Sequence, residues 1–370
     1  MVPFLPLLLL AAAPLPPVVV PSPPPSVIVP SSPPPNRIAT FRSGPVRCGD
    51  AERVPVRHLE PLPVAVRLAG PVAPIRFRFR IHSDGRPLGI GRAGAPADPQ
   101  LDVRDLAPAL AAWRFAAGEE AAACEVSFEV RLDSIETADD ALLYRYAALN
   151  RMQIPGSGGG ALVRQALARL QPPGSTCGRD PVPREPIVLR TRAIPEVPGG
   201  ISYSFFSYDV DASGRPVHIR LLSSSGNRAL DLQGDLTLGR ARFPAQPLSG
   251  CLHYFYRYSI EKVPPPPPPP ADSFQPAVMR CEDDVPRRVG QLFRMQFPIE
   301  FTRRPAEGWA IFTFDVAASG ELRNVRILAS EPAERFGEEV LRAASSVRLA
   351  DVAGAQRGCV SRVRFVLPDS

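Results

Sequence analysis

Six cysteines fall into three pairs, and each pair brackets a glycine turn. Cys48 and Cys124 enclose Ser83-Asp84-Gly85, Cys177 and Cys251 enclose Ala212-Ser213-Gly214, and Cys281 and Cys359 enclose Ala318-Ser319-Gly320. The first cysteine precedes its glycine by 37, 37 and 39 residues, and the second follows it by 39, 37 and 39. A frame repeated at this period means one structural unit used three times. Six cysteines allow fifteen pairings; the matched positions predict Cys48–Cys124, Cys177–Cys251 and Cys281–Cys359. Each bridge adds about 4 kcal/mol in the chain-entropy account. That matters for a small unit whose core alone is expected to be marginal.

Strand parity around each glycine predicts the unit's fold. Counting back by four, six and eight gives Ile81, Phe79 and Phe77, then Val210, Tyr208 and Phe206, then Val316, Phe314 and Phe312. A spacing of two puts each trio on one face of a β-strand. The turn supplies the positive φ that a tight hairpin needs, and Ile90, Ile219 and Val325 share one offset on the returning strand. A helix is predicted next, on Leu106, Leu110 and Trp113, on Leu230, Leu232, Leu236 and Leu238, and on Phe336, Val340 and Leu341. A closing strand carries Val126, Phe128 and Val130 in the first copy and Val363, Phe365 and Leu367 in the third. In the second copy Tyr254, Tyr256 and Tyr258 fall on the opposite parity, for which a bulge is one reading. The expected class is α+β: three tandem small domains, each a hairpin, helix and closing strand forming a three-stranded antiparallel sheet with a helix across it.

The rest of the chain reads as connection. Residues 1–13 hold a short apolar stretch around Leu7-Leu8-Leu9-Leu10 and end in Ala11-Ala12-Ala13, the pattern of an export signal. An uncleaved anchor is the alternative, which Pro3, Pro6, Pro14, Pro16 and Pro17 oppose. Residues 14–40 form a Pro-rich spacer, of which Pro14–Pro35 could extend about 70 Å as polyproline II. The first domain covers 41–135 and a helical connector 136–172, with a capping-box pattern at Thr137–Asp140 and a flexible turn at Gly156-Ser157-Gly158-Gly159-Gly160. The connector is expected to dock the first two domains together. The second domain covers 173–262, a polyproline linker 263–275, and the third domain 276–370. The run Pro264–Pro270 reads as a stalk of about 20 Å that lets the third domain move independently.

These units resemble the C-terminal domain of TonB proteins. The resemblance rests on Val210, Gly214, Val217, Ile219, Ser224-Ser225-Gly226, Leu230-Asp231 and Arg240-Ala241-Arg242-Phe243 in the second copy. In the third it rests on Gly308, Phe312, Phe314, Val316, Gly320, Val325, Ile327, Val347-Arg348-Leu349 and Gly358, and in the first on Gly85 and Trp113-Arg114-Phe115. The proline-rich segment behind an apolar N-terminus is also similar to TonB. The resemblance implies that the final strand captures an extended segment of an outer-membrane receptor. By position that strand is Val360, Ser361, Arg362, Val363, Arg364, Phe365, Val366 and Leu367.

Little in the chain suggests reaction chemistry. His58, His82, His218 and His253 show no ligand spacing, and no cysteine is left over to join them, so neither cofactor nor metal is expected. The acid pairs Glu119-Glu120, Asp139-Asp140, Asp283-Asp284 and Glu338-Glu339 sit at predicted helix starts or in polar loops. Arg76, Arg78 and Arg80 alternate with Phe77 and Phe79, so the arginines form an outward row suited to an anionic glycan or an acidic peptide. The net charge of +6 is almost all arginine, Lys262 being the lone lysine, and export argues against nucleic acid. The expected function is a non-catalytic, periplasmic envelope protein that binds extended segments of envelope or outer-membrane proteins by strand addition. The alternatives are an anchored, TonB-like energy transducer facing the periplasm and a peptidoglycan- or anionic-glycan-binding protein. Membrane contact is expected only if the N-terminal segment is uncleaved.

Overall fold

The computed structural model describes residues 36–368 apart from residues 69, 119, 151–158, 179–180, 275–279, 351 and 353. The N-terminal apolar stretch, most of the Pro-rich spacer and residues 156–158 of the glycine-rich turn lie outside the described residues, while Gly159 and Gly160, read as part of that turn, open a helix. No helix among the described residues is long and apolar enough to cross a membrane.

In the first copy the strands are β1 (Arg37–Ser43), β2 (Val46–Cys48), β3 (Ala51–Arg53), β4 (Val64–Val66), β5 (Ile75–Ile81) and β6 (Pro87–Ala93). Helix α1 (Leu106–Ala111) and the long strand β7 (Ala121–Ser134) complete it. The connector is α2 (Asp140–Leu149) and α3 (Gly159–Leu170). The second copy is β8 (Ile201–Val210), β9 (Pro216–Ser224), α4 (Arg228–Arg240) and β10 (Leu248–Tyr258). The third is α5 (Val285–Leu292), α6 (Glu300–Arg303), β11 (Gly308–Val316), β12 (Leu322–Glu331), α7 (Glu334–Ala344) and β13 (Gln356–Phe365). The architecture is α+β, and each copy is the expected antiparallel unit, with the first hairpin strand central between the returning and closing strands. In the first copy that unit is extended by β1 to β4. Since β1 begins at Arg37, the end of the stretch read as spacer is strand. The three predicted disulfides are all formed.

The same local geometry recurs around each frame. Gly85, Gly214 and Gly320 have φ of +80°, +83° and +82°, and each accepts a 2.8 Å bond from the amide of Phe115, Phe243 or Leu349 behind the helix. A Cβ on these glycines would stand 2.2, 2.2 and 2.0 Å from the carbonyl oxygen of that same residue. Glycine is therefore required twice over, by backbone angle and by space. Just before each second cysteine, Ala123, Gly250 and Gly358 have positive φ where the register with the central strand shifts. These are bulges with one residue in the left-handed region.

All nine stripe residues of the central strands are buried. The helices are narrower than the sequence suggests. In α4 only Leu230 and Leu238 face the core, with Gly234 between them, while Leu232 and Leu236 are exposed; in α7 Leu341 is exposed. The N-cap of α2 is Asp139, whose carboxylate accepts the Leu142 amide at 2.7 Å, rather than the predicted Thr137.

The tyrosines of β10 have a physical explanation that is not a bulge. Phe206 and Tyr208 pack with Phe255 and Cys251 in one core, whereas Tyr203 and Phe205 pack with Leu252, Tyr254 and Tyr256 in another. The second cluster also holds Leu143, Tyr146 and Leu162 of the connector and Ile38 and Leu62 of the first copy. The second sheet is thus covered on both faces, so its closing strand is apolar at both parities. Phe255 is the residue that continues the core stripe.

The third copy does not stand off on a stalk. Ile90, Leu110 and Ala112 of the first copy share one apolar cluster with Phe301, Ala306 and Ala333 of the third. Arg304, 2% exposed, makes two 2.9 Å bonds to Asp105 and donates to the carbonyls of Gly199 and Glu60, so one guanidinium joins all three copies. The linker is fastened down as well: Trp309 donates to Pro266 O at 2.8 Å, Arg86 to Pro264 O at 3.0 Å, and Val263 bridges to Ala306.

Candidate functional site

A three-stranded sheet with the first hairpin strand at its centre has two edges, the returning strand and the closing strand. Backbone groups there are free to pair with an added strand. The copies treat these edges differently. In the first, β7 pairs with β5 over Ala121–Phe128 and on its other side receives β1 and β2, from Arg37↔Ser134 through Ser43↔Phe128 to Cys48↔Cys124. The Gly44 amide, which donates to Ser127 O at 2.7 Å, carries the pairing between the two strands. The closing edge is thereby filled by the chain's own extended N-terminal segment.

In the third copy β13 is an edge strand. Among the described residues its pairing beyond β11 is the single bridge Arg280–Arg357. The residues singled out in the sequence lie here. Ser361, Val363 and Phe365 point into the core, Arg362, Arg364 and Val366 are exposed, and Val360 and Leu367 are intermediate. Helix α5 lies alongside, with Ser361 Oγ donating to Pro286 O at 2.8 Å; Pro286, Arg287, Gly290 and Met295 form a shallow groove with Val360–Arg364. Lys262 Nζ donates to Leu367 O, and the Leu367 amide donates to Glu307, which anchors the end of the segment. Among the described residues the closing edge of the second copy is paired on its outer side at Thr176–Ser249, with its outer face against the connector.

The arginine row has its own acidic partner. Arg78 meets Glu334 at 2.8 Å and Arg80 meets Glu331 at 2.6 Å, and the Gly89 amide donates to the second oxygen of Glu331 at 2.6 Å. The Ile90 amide donates to Pro332 O at 2.9 Å, and Ile90 bridges in parallel to Ala333. Burial pushes the Glu331 carboxyl up, while Arg80, the Gly89 amide and His82 oppose that shift. Four consecutive residues of the third copy thus lie along the returning edge of the first. Their role was missed in the sequence, although a signal was present. Arg78 and Arg80 stand where the other copies have Ser207 and Asp209, or Thr313 and Asp315, and Gly91 stands where they have Arg220 and Arg326.

Most of the remaining polar candidates have structural partners, while Glu119 lies outside the described residues. Asp209 is held below the usual carboxylate range by the Gly250 amide and then by His218; Asp315 is held down by Asn324 and the Gly358 amide against the desolvation that would raise it. Both carboxylates therefore fasten the bulge before the second cysteine to the hairpin. His58 packs against Trp113, ring centroids 4.4 Å apart and planes tilted by 47°, and bonds Ser43, and burial lowers its pKa. His82 pairs with Asp84, Asp284 with Arg288, and Glu338 and Glu339 with Arg335. No cluster of metal-ligating side chains occurs among the described residues.

No family model matches the chain, and no curated protein does. Among solved structures it matches the TonB CTD of Pseudomonas aeruginosa, determined in solution by NMR, at 20% identity and a TM-score of 0.20. The match covers 21% of this chain and 84% of that one.

Proposed function

We propose that this chain is a non-catalytic, TonB-like interaction protein of the cell envelope that binds extended segments of envelope proteins by strand addition. The binding element is the closing edge of the third copy, Val360–Leu367. One observation carries this reading: in the first copy the equivalent edge, β7, already accepts an extended strand in antiparallel register. The unit's closing edge is therefore a surface on which such a ladder forms, and main-chain bonds along it supply affinity that is tolerant of sequence. The groove between α5 and β13 would supply side-chain selection. Three disulfides fit an oxidising, exported location; within it, the periplasm is the compartment we assign. An anionic-glycan role is less favoured, because Arg78 and Arg80 are engaged by the protein's own glutamates.

The test places a photo-cross-linking residue at Arg362, exposed on the third copy's closing strand, or at Arg131, exposed on the first copy's covered one. In intact cells the probe at 362 is expected to capture a discrete envelope protein through an extended segment, and the probe at 131 to capture none. Equal capture at both positions, or none at 362, overturns the assignment.

A further inference from the structure

The contact between the first and third copies has the form of a peptide in a reading site. The backbone pairing and the ion pairs made across this edge come from one continuous stretch, Glu331-Pro332-Ala333-Glu334. The Ile90 amide takes Pro332 O, and Ile90 and Ala333 lie in parallel register, as an added strand would. Two arginines two residues apart on the central strand face two glutamates three residues apart in the segment. Gly89, at φ +60°, turns its amide to Glu331. A Cβ at Gly91 would stand 2.3 Å from the Glu334 carboxyl carbon, so glycine leaves the space that the second glutamate fills. At the same four positions the other copies carry Ser207, Asp209, His218 and Arg220, or Thr313, Asp315, Asn324 and Arg326. Asp209 and Asp315 would repel a carboxylate, and the arginines at 220 and 326 would fill the space.

We propose that Arg78, Arg80 and the Gly89–Gly91 edge form a docking site for an extended acidic segment of the pattern Glu-Pro-x-Glu, which the third copy fills in cis. The occupant from a partner is an extended protein segment with that spacing of carboxylates. This rests on strand addition as the mode of binding but places a second, charge-selective site on the opposite edge of a different copy. A tethered segment acts at an effective concentration of the order of millimolar, so the cis occupant masks the site from dilute ligands. Only a partner that also engages the third copy, or a change that lifts residues 331–334, exposes it.

The probe is a fluorescein-labelled peptide of residues 327–337, measured by anisotropy on the full chain, with hydrogen exchange at the Ile90 amide as the local readout. In the unaltered protein Ile90 should exchange slowly and micromolar peptide should not bind. In Glu331→Arg/Glu334→Arg, where two guanidinium groups are driven against Arg78 and Arg80, Ile90 should exchange faster. The peptide should then bind and restore its protection. Adding Arg80→Ala or Gly91→Ala should weaken that binding by about tenfold or more, the loss expected for one charge-assisted contact or its space. Persistent Ile90 protection in the reversed chain overturns the proposal, as does absent peptide binding or binding indifferent to Arg80 and Gly91. Cross-linking at Arg362 is read at a separate edge, so failure here leaves that result standing, and the reverse holds.

Discussion

The first and third copies build the same sheet and finish it differently. In the first, the closing strand is flanked by Arg37–Cys48, a segment with amides to donate, and the edge becomes interior to a larger sheet. In the third, β13 lies beside a helix and, among the described residues, only Arg280 pairs along its outer side. Neither core differs in kind: the stripes Phe77-Phe79-Ile81 and Phe312-Phe314-Val316 are buried alike. What separates the two, among the described residues, is how much of the preceding chain lies along the closing strand. An edge is a consequence of what precedes the fold as much as of the fold itself.

Breaking the junction between these copies should have the largest effect. Arg304→Ala leaves the Asp105 carboxylate, only 10% exposed, without its charged partner and strips the carbonyls of Gly199 and Glu60 of their donor. Removing one member of such a pair costs about 3–5 kcal/mol, which chemical denaturation would read, and the loss should fall on the first and third copies together. Cys281→Ser/Cys359→Ser comes next, at about 2–4 kcal/mol. It tests whether the third copy, with three strands, needs its bridge more than the first, with seven, needs Cys48–Cys124. Gly85→Ala and Gly320→Ala should each cost about 2 kcal/mol through backbone strain and the clash behind the helix. Equal losses would confirm that the turns do the same work in both copies.

Asp315→Ala should be smallest, about 1 kcal/mol for the bonds to Asn324 and the Gly358 amide. The pH dependence has a definite sign. Asp315 is depressed in the folded chain, so its contribution is complete above the ordinary carboxylate range and is lost as pH falls through its lowered pKa. Glu331 is raised by burial, so its contribution is complete below that range and declines as pH rises through its raised pKa. Denaturation midpoints across that interval should therefore lose an acid-side step in Asp315→Asn and the opposing step in Glu331→Gln.

The unit itself was legible in the sequence because its signals are local. A period of two marks a buried strand face, a glycine after Asp or Ser marks the turn, and paired cysteines at matched offsets mark the staple. What was not legible depends on which surfaces meet. Tyr254 and Tyr256 looked out of phase because a second core lies on the far side of their sheet. Leu232 and Leu236 were placed in a core that Gly234 and its neighbours fill. The arginine row is exposed as expected, but the glutamates that Arg78 and Arg80 meet lie 256 and 251 residues away in the chain. No local pattern announces a contact at that separation, although the departure of Arg78, Arg80 and Gly91 from the other copies was there to be read.

Backbone hydrogen exchange of the full chain, comparing β7 with β13, tests the difference between the two closing edges most directly. The edge-facing amides of Phe128–Ser134, paired with β1, should exchange slowly, while those of Val360–Leu367 that face away from β11 should exchange fast. Slow exchange along both strands would show that the third copy's edge is already closed and would contradict its assignment as the surface that receives a partner.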